Sequence, residues 1–146
     1  LDIDHFKLVN DSHGHMAGDN VLCGITRVLR QVLGAGAMLG RYGGEEFSIL
    51  LSGVGQAEAV ATAERLRREA AAAETRFGSV AVMVTISIGV AEVAFAPGAA
   101  QGMSNLQLCD ALILAADTAL YEAKQDGRNK VRSTNLAYGV AGDAQP

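Results

Sequence analysis

The chain has 146 residues, enough for one domain with a sizeable core. Hydrophobic residues make up 49% of it, which argues against disorder, and it contains no apolar run of membrane-spanning length and no secretory signal. A net charge of −4 argues against a general nucleic-acid binder and means that a phosphate-rich ligand must be met by local cations or by metal ions.

Leu1-Asp2-Ile3-Asp4 reads as the end of a strand. Side chains alternate along a strand, so Asp2 and Asp4 share one face, a plausible cradle for a hard cation such as Mg²⁺. A polar stretch from His5 to His15 follows, then a first long helix from about Ala17 to Leu33. Val21, Leu22, Ile25, Val28, Leu29, Val32 and Leu33 recur there at helical spacing and form one buried stripe. Gly34 and Gly36 end it. Two short apolar runs, Met38 to Tyr42 and Phe47 to Ser52, flank Gly43-Gly44-Glu45-Glu46. Glycine tolerates positive φ, so the pair predicts a tight hairpin turn. The adjacent carboxylates either form a solvated acidic turn or belong to a site.

A second helix is expected from Gln56 to Arg76, with Val60, Ala63, Leu66 and Ala70 inward and a charged, solvated outer face. Val80 to Ala91 reads as one long strand. Val82, Val84, Ile86, Ile88 and Val90 line one side of it; Thr85, Ser87 and Gly89 line the other and invite close packing by a helix. A loop from Ala94 to Gly102 leads to Ser104 and Gln107, which fit a capping box. The third helix presents Leu112, Ala115, Ala116, Ala119, Leu120 and Ala123 on one face, and Gly127 ends it. Asn129 to Arg132 reads as a short last strand, so the domain is placed at 1–133 and a mobile tail at 134–146. Cys23 and Cys109 fall within helical patterns and are expected to be small core residues in a reducing compartment.

This element order predicts an α+β fold, a ferredoxin-like or palm-type antiparallel sheet flanked by helices, with a hairpin carrying the Gly-Gly-Glu-Glu motif. The first strand is then central, and its end lies beside the hairpin tip. Asp2, Asp4, Glu45 and Glu46 would converge there, and such a group needs a counter-charge. A divalent metal and a nucleoside triphosphate supply the simplest remedy, with Lys7, Lys124 and Arg128 as candidate phosphate contacts. Lys124 and Arg128 can equally complement the helix C-terminal dipole. His5, His13 and His15 among acids suggest a His/Asp phosphohydrolase centre, but their spacing matches no common zinc pattern.

Asp2-Ile3-Asp4-His5-Phe6-Lys7-Leu8-Val9-Asn10-Asp11, then Gly14-His15 and Gly18-Asp19, then Arg41-Tyr42-Gly43-Gly44-Glu45-Glu46-Phe47, then Thr85 to Ala91, then Ala116-Asp117, Ala119-Leu120-Tyr121 and Ala123-Lys124, then Gly127-Arg128-Asn129 resemble the GGDEF-domain diguanylate cyclases, in the GGEEF variant. The resemblance covers Leu1 to Val131 in the family's order and at its spacing. It implies condensation of two GTP into cyclic di-GMP and two pyrophosphates. It also implies that Asp2, the backbone of Ile3 and Glu45 hold Mg²⁺ or Mn²⁺, with Glu46 as a second metal contact or as a group that helps deprotonate the attacking hydroxyl. Asn10 and Asp19 would bind guanine. Lys7, Lys124, Arg128 and the backbone near His5 and Phe6 would hold the phosphates, and Gly43 and Gly44 would let the backbone approach the nucleotide. Asp4 matches the motif without a clear role.

One domain holds one GTP, so the active form implied is a homodimer, served by an upstream sensory domain. The chain begins at Leu1 rather than Met, and the family's Leu-Thr-Gly-Leu-type lead-in is absent. It is therefore expected to be a truncated piece of a longer protein, located in the cytoplasm or forming the cytoplasmic part of a membrane-anchored one. The family's inhibitory Arg-x-x-Asp falls on Gly34-Ala35-Gly36-Ala37, so product feedback at that surface is in doubt, and cyclic di-GMP would instead return to the active site. That gap also disfavours a cyclic di-GMP receptor using that surface. A nucleotide-binding regulatory domain that has lost catalysis is the remaining alternative.

Overall fold

The computed structural model describes residues 1–95 and 104–138. Its elements are β1 (Asp2–Ile3), α1 (Phe6–His13), α2 (His15–Leu33), β2 (Ala37–Arg41), β3 (Phe47–Leu51), α3 (Gln56–Ala72), β4 (Glu74–Phe77), β5 (Val80–Met83), β6 (Ile86–Phe95), α4 (Asn105–Gln125) and β7 (Val131–Tyr138). β1 pairs antiparallel with β6, and β7 runs parallel on the other edge of β6. β3 closes on the free edge of β1 through an antiparallel bridge between Asp2 and Glu46. β1 is therefore central, as expected. The β6–β7 pair is parallel, so the palm-type sheet is mixed rather than wholly antiparallel.

The expected apolar stripes form the core. Val21, Leu22, Ile25 and Leu29 of α2 meet Ala63, Leu66 and Ala70 of α3 and the inward residues Ile86 and Ile88 of β6. The other face of β6 carries Ser87, fully buried, and Gly89. A Cβ at Gly89 would overlap the Ala116 carbonyl oxygen and the Leu120 backbone nitrogen. That glycine lets α4 lie directly on the sheet. Ser104 caps α4 with Gln107 in a reciprocal capping box.

Six local expectations are corrected. The polar stretch after β1 is helical from Phe6, since Phe6 and Val9, three apart, give it a buried face. Gly14, at φ 81 and ψ 162, separates it from α2. The second helix stops at Ala72, because Glu74–Phe77 and Val80–Met83 form a hairpin around Gly78 at φ 58. That hairpin and a break at Val84 and Thr85 replace the single long strand, and β6 runs on to Phe95. The Gly43-Gly44 turn is wider than expected. Residues 42–46 connect the paired Arg41 and Phe47, and neither glycine has positive φ. The last strand, expected at Asn129 to Arg132, is β7 at Val131–Tyr138; most of the 94–102 loop and residues 139–146 lie outside the described residues. Finally, both cysteines are exposed. Cys23 faces a groove of about 540 Å³ bordered by Leu22, Arg27, Arg30, Arg41 and Phe47, not the core. No helix among the described residues is long and apolar enough to cross a membrane.

Close packing of α4 on β6 makes a stability prediction. Gly89→Ala forces backbone apart on both sides and is expected to cost about 3 kcal/mol, lowering Tm by roughly 10 °C. Thermal unfolding followed by circular dichroism checks this; an unchanged Tm would show that α4 is not seated as described.

Candidate active site

β1 is two residues long, yet three elements converge on it. Ile3 N–H donates to the Glu45 carbonyl at 3.3 Å, and Phe47 N–H donates to the Leu1 carbonyl at 3.0 Å. These bonds lay the hairpin loop along β1 and set Glu46 opposite Asp2. The loop is braced internally. Tyr42 N–H and Gly43 N–H both donate to the Glu46 carbonyl, at 2.8 and 3.3 Å. Arg41 wraps its guanidinium around the tip, donating to the Gly43 carbonyl at 3.1 Å and to the Gly44 carbonyl at 2.6 Å. The Glu46 carboxylate folds back over Gly43, with Oε2 2.9 Å from where a Cβ would stand. A Cβ at residue 43 would therefore meet only the mobile end of the Glu46 side chain.

The Asp2 carboxylate is buried and pairs with Lys124 Nζ of α4 at 2.9 Å. Asp4, also buried, accepts from Thr85 Oγ1 and Ser87 Oγ at 2.7 Å each and from Asn129 N–H at 3.0 Å. Asp2 and Asp4 therefore have different partners. Asp2 lies on the hairpin and α4 side, whereas Asp4 is fully committed to β6 and the turn after α4.

On the other flank, α1 crosses α2 at Gly18. A Cβ there would overlap Asn10 Oδ1 and crowd Phe6 Cζ. The missing side chain seats Asn10 against the turn that presents the exposed Asp19. Phe6 itself is a core residue, so any ligand contact at that position falls to the backbone. His5 sits in the left-handed region at φ 57 and turns the chain from β1 into α1, with Lys7 exposed in the first turn. Arg128 is exposed on a left-handed turn, φ 61, and forms no ion pair among the described residues. His13 and His15 are exposed at the α1–α2 junction and belong to no cluster of metal-binding side chains.

The donors near β1 suit a hard divalent cation in kind: carboxylates from Asp2, Glu45 and Glu46, and the backbone carbonyl of Ile3. Among the described residues, no three His, Cys, Asp or Glu side chains converge to hold an ion. Asp2 faces Lys124 instead, and Glu46 faces Gly43. Residues that the sequence reading missed are Arg41 as a brace, Gly18 as the seat for Asn10, and Thr85, Ser87 and Asn129 as partners of Asp4. Gly18 was visible only as a motif member and Thr85 only as a motif member on a strand face; their roles depend on elements distant in sequence.

The family model described as diguanylate cyclase, GGDEF domain, matches residues 1–130. Diguanylate cyclase A of Treponema denticola is 37% identical over 131 residues, covering 90% of this chain and 33% of that protein. The structure of diguanylate cyclase SiaD in complex with its activator SiaC, from Pseudomonas aeruginosa, superposes with a TM-score of 0.78 at 37% identity, over 91% of this chain and 47% of that one. The GGDEF domain of DgcB from Caulobacter crescentus, in complex with c-di-GMP, gives a TM-score of 0.78 at 32% identity, over 90% of this chain and 73% of that one. The chain thus spans about a third of the Treponema protein.

The Asp2–Lys124 pair makes a prediction that needs no nucleotide. Lys124→Met leaves a buried carboxylate unpaired and is expected to cost about 1–2 kcal/mol, a figure reduced for the partial exposure of the lysine. Added Mn²⁺ should then stabilise the variant more than the parent, because no ammonium competes for Asp2. Calorimetric unfolding with and without Mn²⁺ measures both; an equal metal-induced gain would show that Asp2 is not where the cation binds.

Proposed function

The chain belongs to the diguanylate cyclase GGDEF-domain family, and from that premise we propose that it condenses two GTP into cyclic di-GMP with release of two pyrophosphates. The observation that carries the reading is the bridge of Asp2 to Glu46 on the central strand, with Lys124 on the same carboxylate. It gathers acids and a cation where a metal-bound triphosphate needs both.

Asn10 and Asp19 recognise the base. A carboxylate at Asp19 accepts from guanine N1–H and N2–H₂, donors that adenine does not offer together, and the Asn10 amide both donates and accepts. Leaving such polar groups unmatched would penalise the wrong base heavily. The exposed start of α1, with Lys7 beside it, presents N–H groups to the phosphates, and Lys124 and Arg128 approach from the end of α4. Lys124 must leave Asp2 for this. Substrate binding therefore exchanges one ion pair for another, freeing Asp2 as Lys124 turns to the phosphates.

Mg²⁺ or Mn²⁺ held by Asp2, the Ile3 carbonyl, Glu45 and Glu46 would stabilise charge on the α-phosphate and make the 3′-hydroxyl more acidic. The 3′-oxygen of one GTP forms the new bond to the α-phosphorus of the other and the bond to pyrophosphate breaks in line; Glu46, where it is not a second metal contact, would help take the hydroxyl proton. Each domain presents one base site, and the product has two-fold symmetry, so the reaction belongs between two facing copies. The supporting features for a competent enzyme are the intact Glu45-Glu46 pair and the positions of Lys124 and Arg128. An upstream sensory domain and a cytoplasmic setting are part of the same proposal. Product inhibition is assigned to the active site, since Gly34 and Ala37 supply neither charge of an Arg-x-x-Asp surface.

Incubation with GTP and Mg²⁺, with products separated chromatographically, tests the reading. The parent is expected to yield cyclic di-GMP and pyrophosphate, and Glu46→Gln to lose at least about a hundredfold in rate. At low concentration the initial rate should rise with the square of enzyme concentration. Binding of GTP without turnover at any enzyme concentration would instead identify a regulatory domain.

A further inference from the structure

The turn after α4 is strained. Gly127, Arg128 and Asn129 all have positive φ, at 101, 61 and 46, and two of them are not glycine. Such a run persists only where its surroundings hold it. Three anchors do so here. Arg128 N–H donates back to the Ala123 carbonyl at 3.1 Å. Asn129 N–H donates to Asp4 Oδ2 at 3.0 Å. The Asn129 side chain accepts from Arg67 Nη1 at 2.9 Å, and Arg67 is itself steadied by Glu64 at 2.9 Å. The same turn carries Arg128, and one helical turn back lies Lys124.

Asp4 is the buried end of this arrangement. Its Oδ1 accepts from Ser87 and its Oδ2 from both Thr85 and Asn129, so both oxygens are engaged by the entry to β6 and by the turn, while Lys124 pairs with Asp2. We propose that Asp4 is a positioning residue: it acts through Asn129 to fix the left-handed turn and so aims Arg128 at the triphosphate, and it is not a metal ligand. The proposal rests on the nucleotide site assigned above and names how that site is held. It separates the two aspartates of the opening motif, which sit two residues apart but do different work.

The chemistry of an amide separates the two roles. In Asp4→Asn the NH₂ group can replace Oδ1 and donate to the Ser87 hydroxyl, while the remaining oxygen still accepts from Thr85 and Asn129. An asparagine thus keeps the anchor but loses the charge on which a metal ligand depends. Asp4→Ala removes both.

The test measures binding of GTP and of guanosine by titration calorimetry with EDTA present, and then KM for GTP and the Mn²⁺ dependence of turnover. Asp4→Ala is expected to weaken metal-free GTP binding about tenfold and leave guanosine binding within about twofold. Asp4→Asn should recover GTP affinity to within about threefold of the parent. In an Arg128→Ala background the Asp4→Ala effect on GTP should vanish, as two steps of one mechanism require. If Asp4→Ala does not fold, Arg67→Ala carries the test: it loosens the same turn from α3 and should weaken GTP about threefold with guanosine unchanged. The proposal is overturned if Asp4→Asn loses Mn²⁺-dependent turnover as fully as Asp2→Asn, if GTP and guanosine weaken together, or if Arg67→Ala changes neither. A parent that binds GTP no better than guanosine would count against the nucleotide site itself, a distinct failure.

Discussion

Two backbone hydrogen bonds, Ile3 N–H to the Glu45 carbonyl and Phe47 N–H to the Leu1 carbonyl, decide where the chemistry of this domain can happen. They fix the register of the hairpin loop on β1. Side chains alternate along paired strands, so a slip of one residue would take Glu46 off the face it shares with Asp2. Everything that makes the loop rigid serves this register: the Arg41 guanidinium on the Gly43 and Gly44 carbonyls, and the Glu46 carbonyl gathering two N–H groups. The loop is therefore a braced platform with its acids at half depth.

Electrostatics then explains why β1 is crowded with polar partners. Asp2 and Asp4 are both nearly inaccessible, and a buried carboxylate without a counter-charge or donors is costly. The fold answers the two cases differently. Asp2 receives a cation on a flexible stem, an interaction that a competing divalent ion can displace. Asp4 receives three fixed donors, two hydroxyls and a backbone amide, which nothing in solution readily displaces. One carboxylate thus has a partner that can exchange, and the other has partners fixed by the fold.

Legibility in the sequence follows the range of the interactions. The stripes of α2, α3 and α4 depend on local periodicity, and the residues read as inward are buried or half-buried. Gly89 was readable because a small residue in an apolar strand has few reasons other than close approach, and α4 supplies that reason. Phe6–His13 was missed because its apolar face is only Phe6 and Val9, and the packing against α2 that stabilises it is not local. The β4–β5 hairpin was hidden by an alanine- and arginine-rich run that favours helix up to Ala72 and gives no stop there except the alternation that begins at Glu74. Cys23 follows a buried leucine and was read as core, yet at helical spacing the next residue turns outward by about 100°. In the site, residue types announced the acids and the cations, but their pairing did not appear. That Lys124 reaches Asp2, and that Asn129 meets Asp4 from 125 positions away, are consequences of the sheet order.

The same long-range logic bears on the missing charges at Gly34-Ala35-Gly36-Ala37. Those residues end α2 and enter β2, and Gly34 adopts φ 67, a geometry that suits glycine. The segment has been given over to a tight exit from the helix, with no side chain to reach an anion. At the contact between α1 and α2 another glycine, Gly18, works differently: its absent side chain leaves room for Asn10, which a Cβ there would overlap. In one place glycine serves the turn; in the other it leaves room for a side chain from a neighbouring helix.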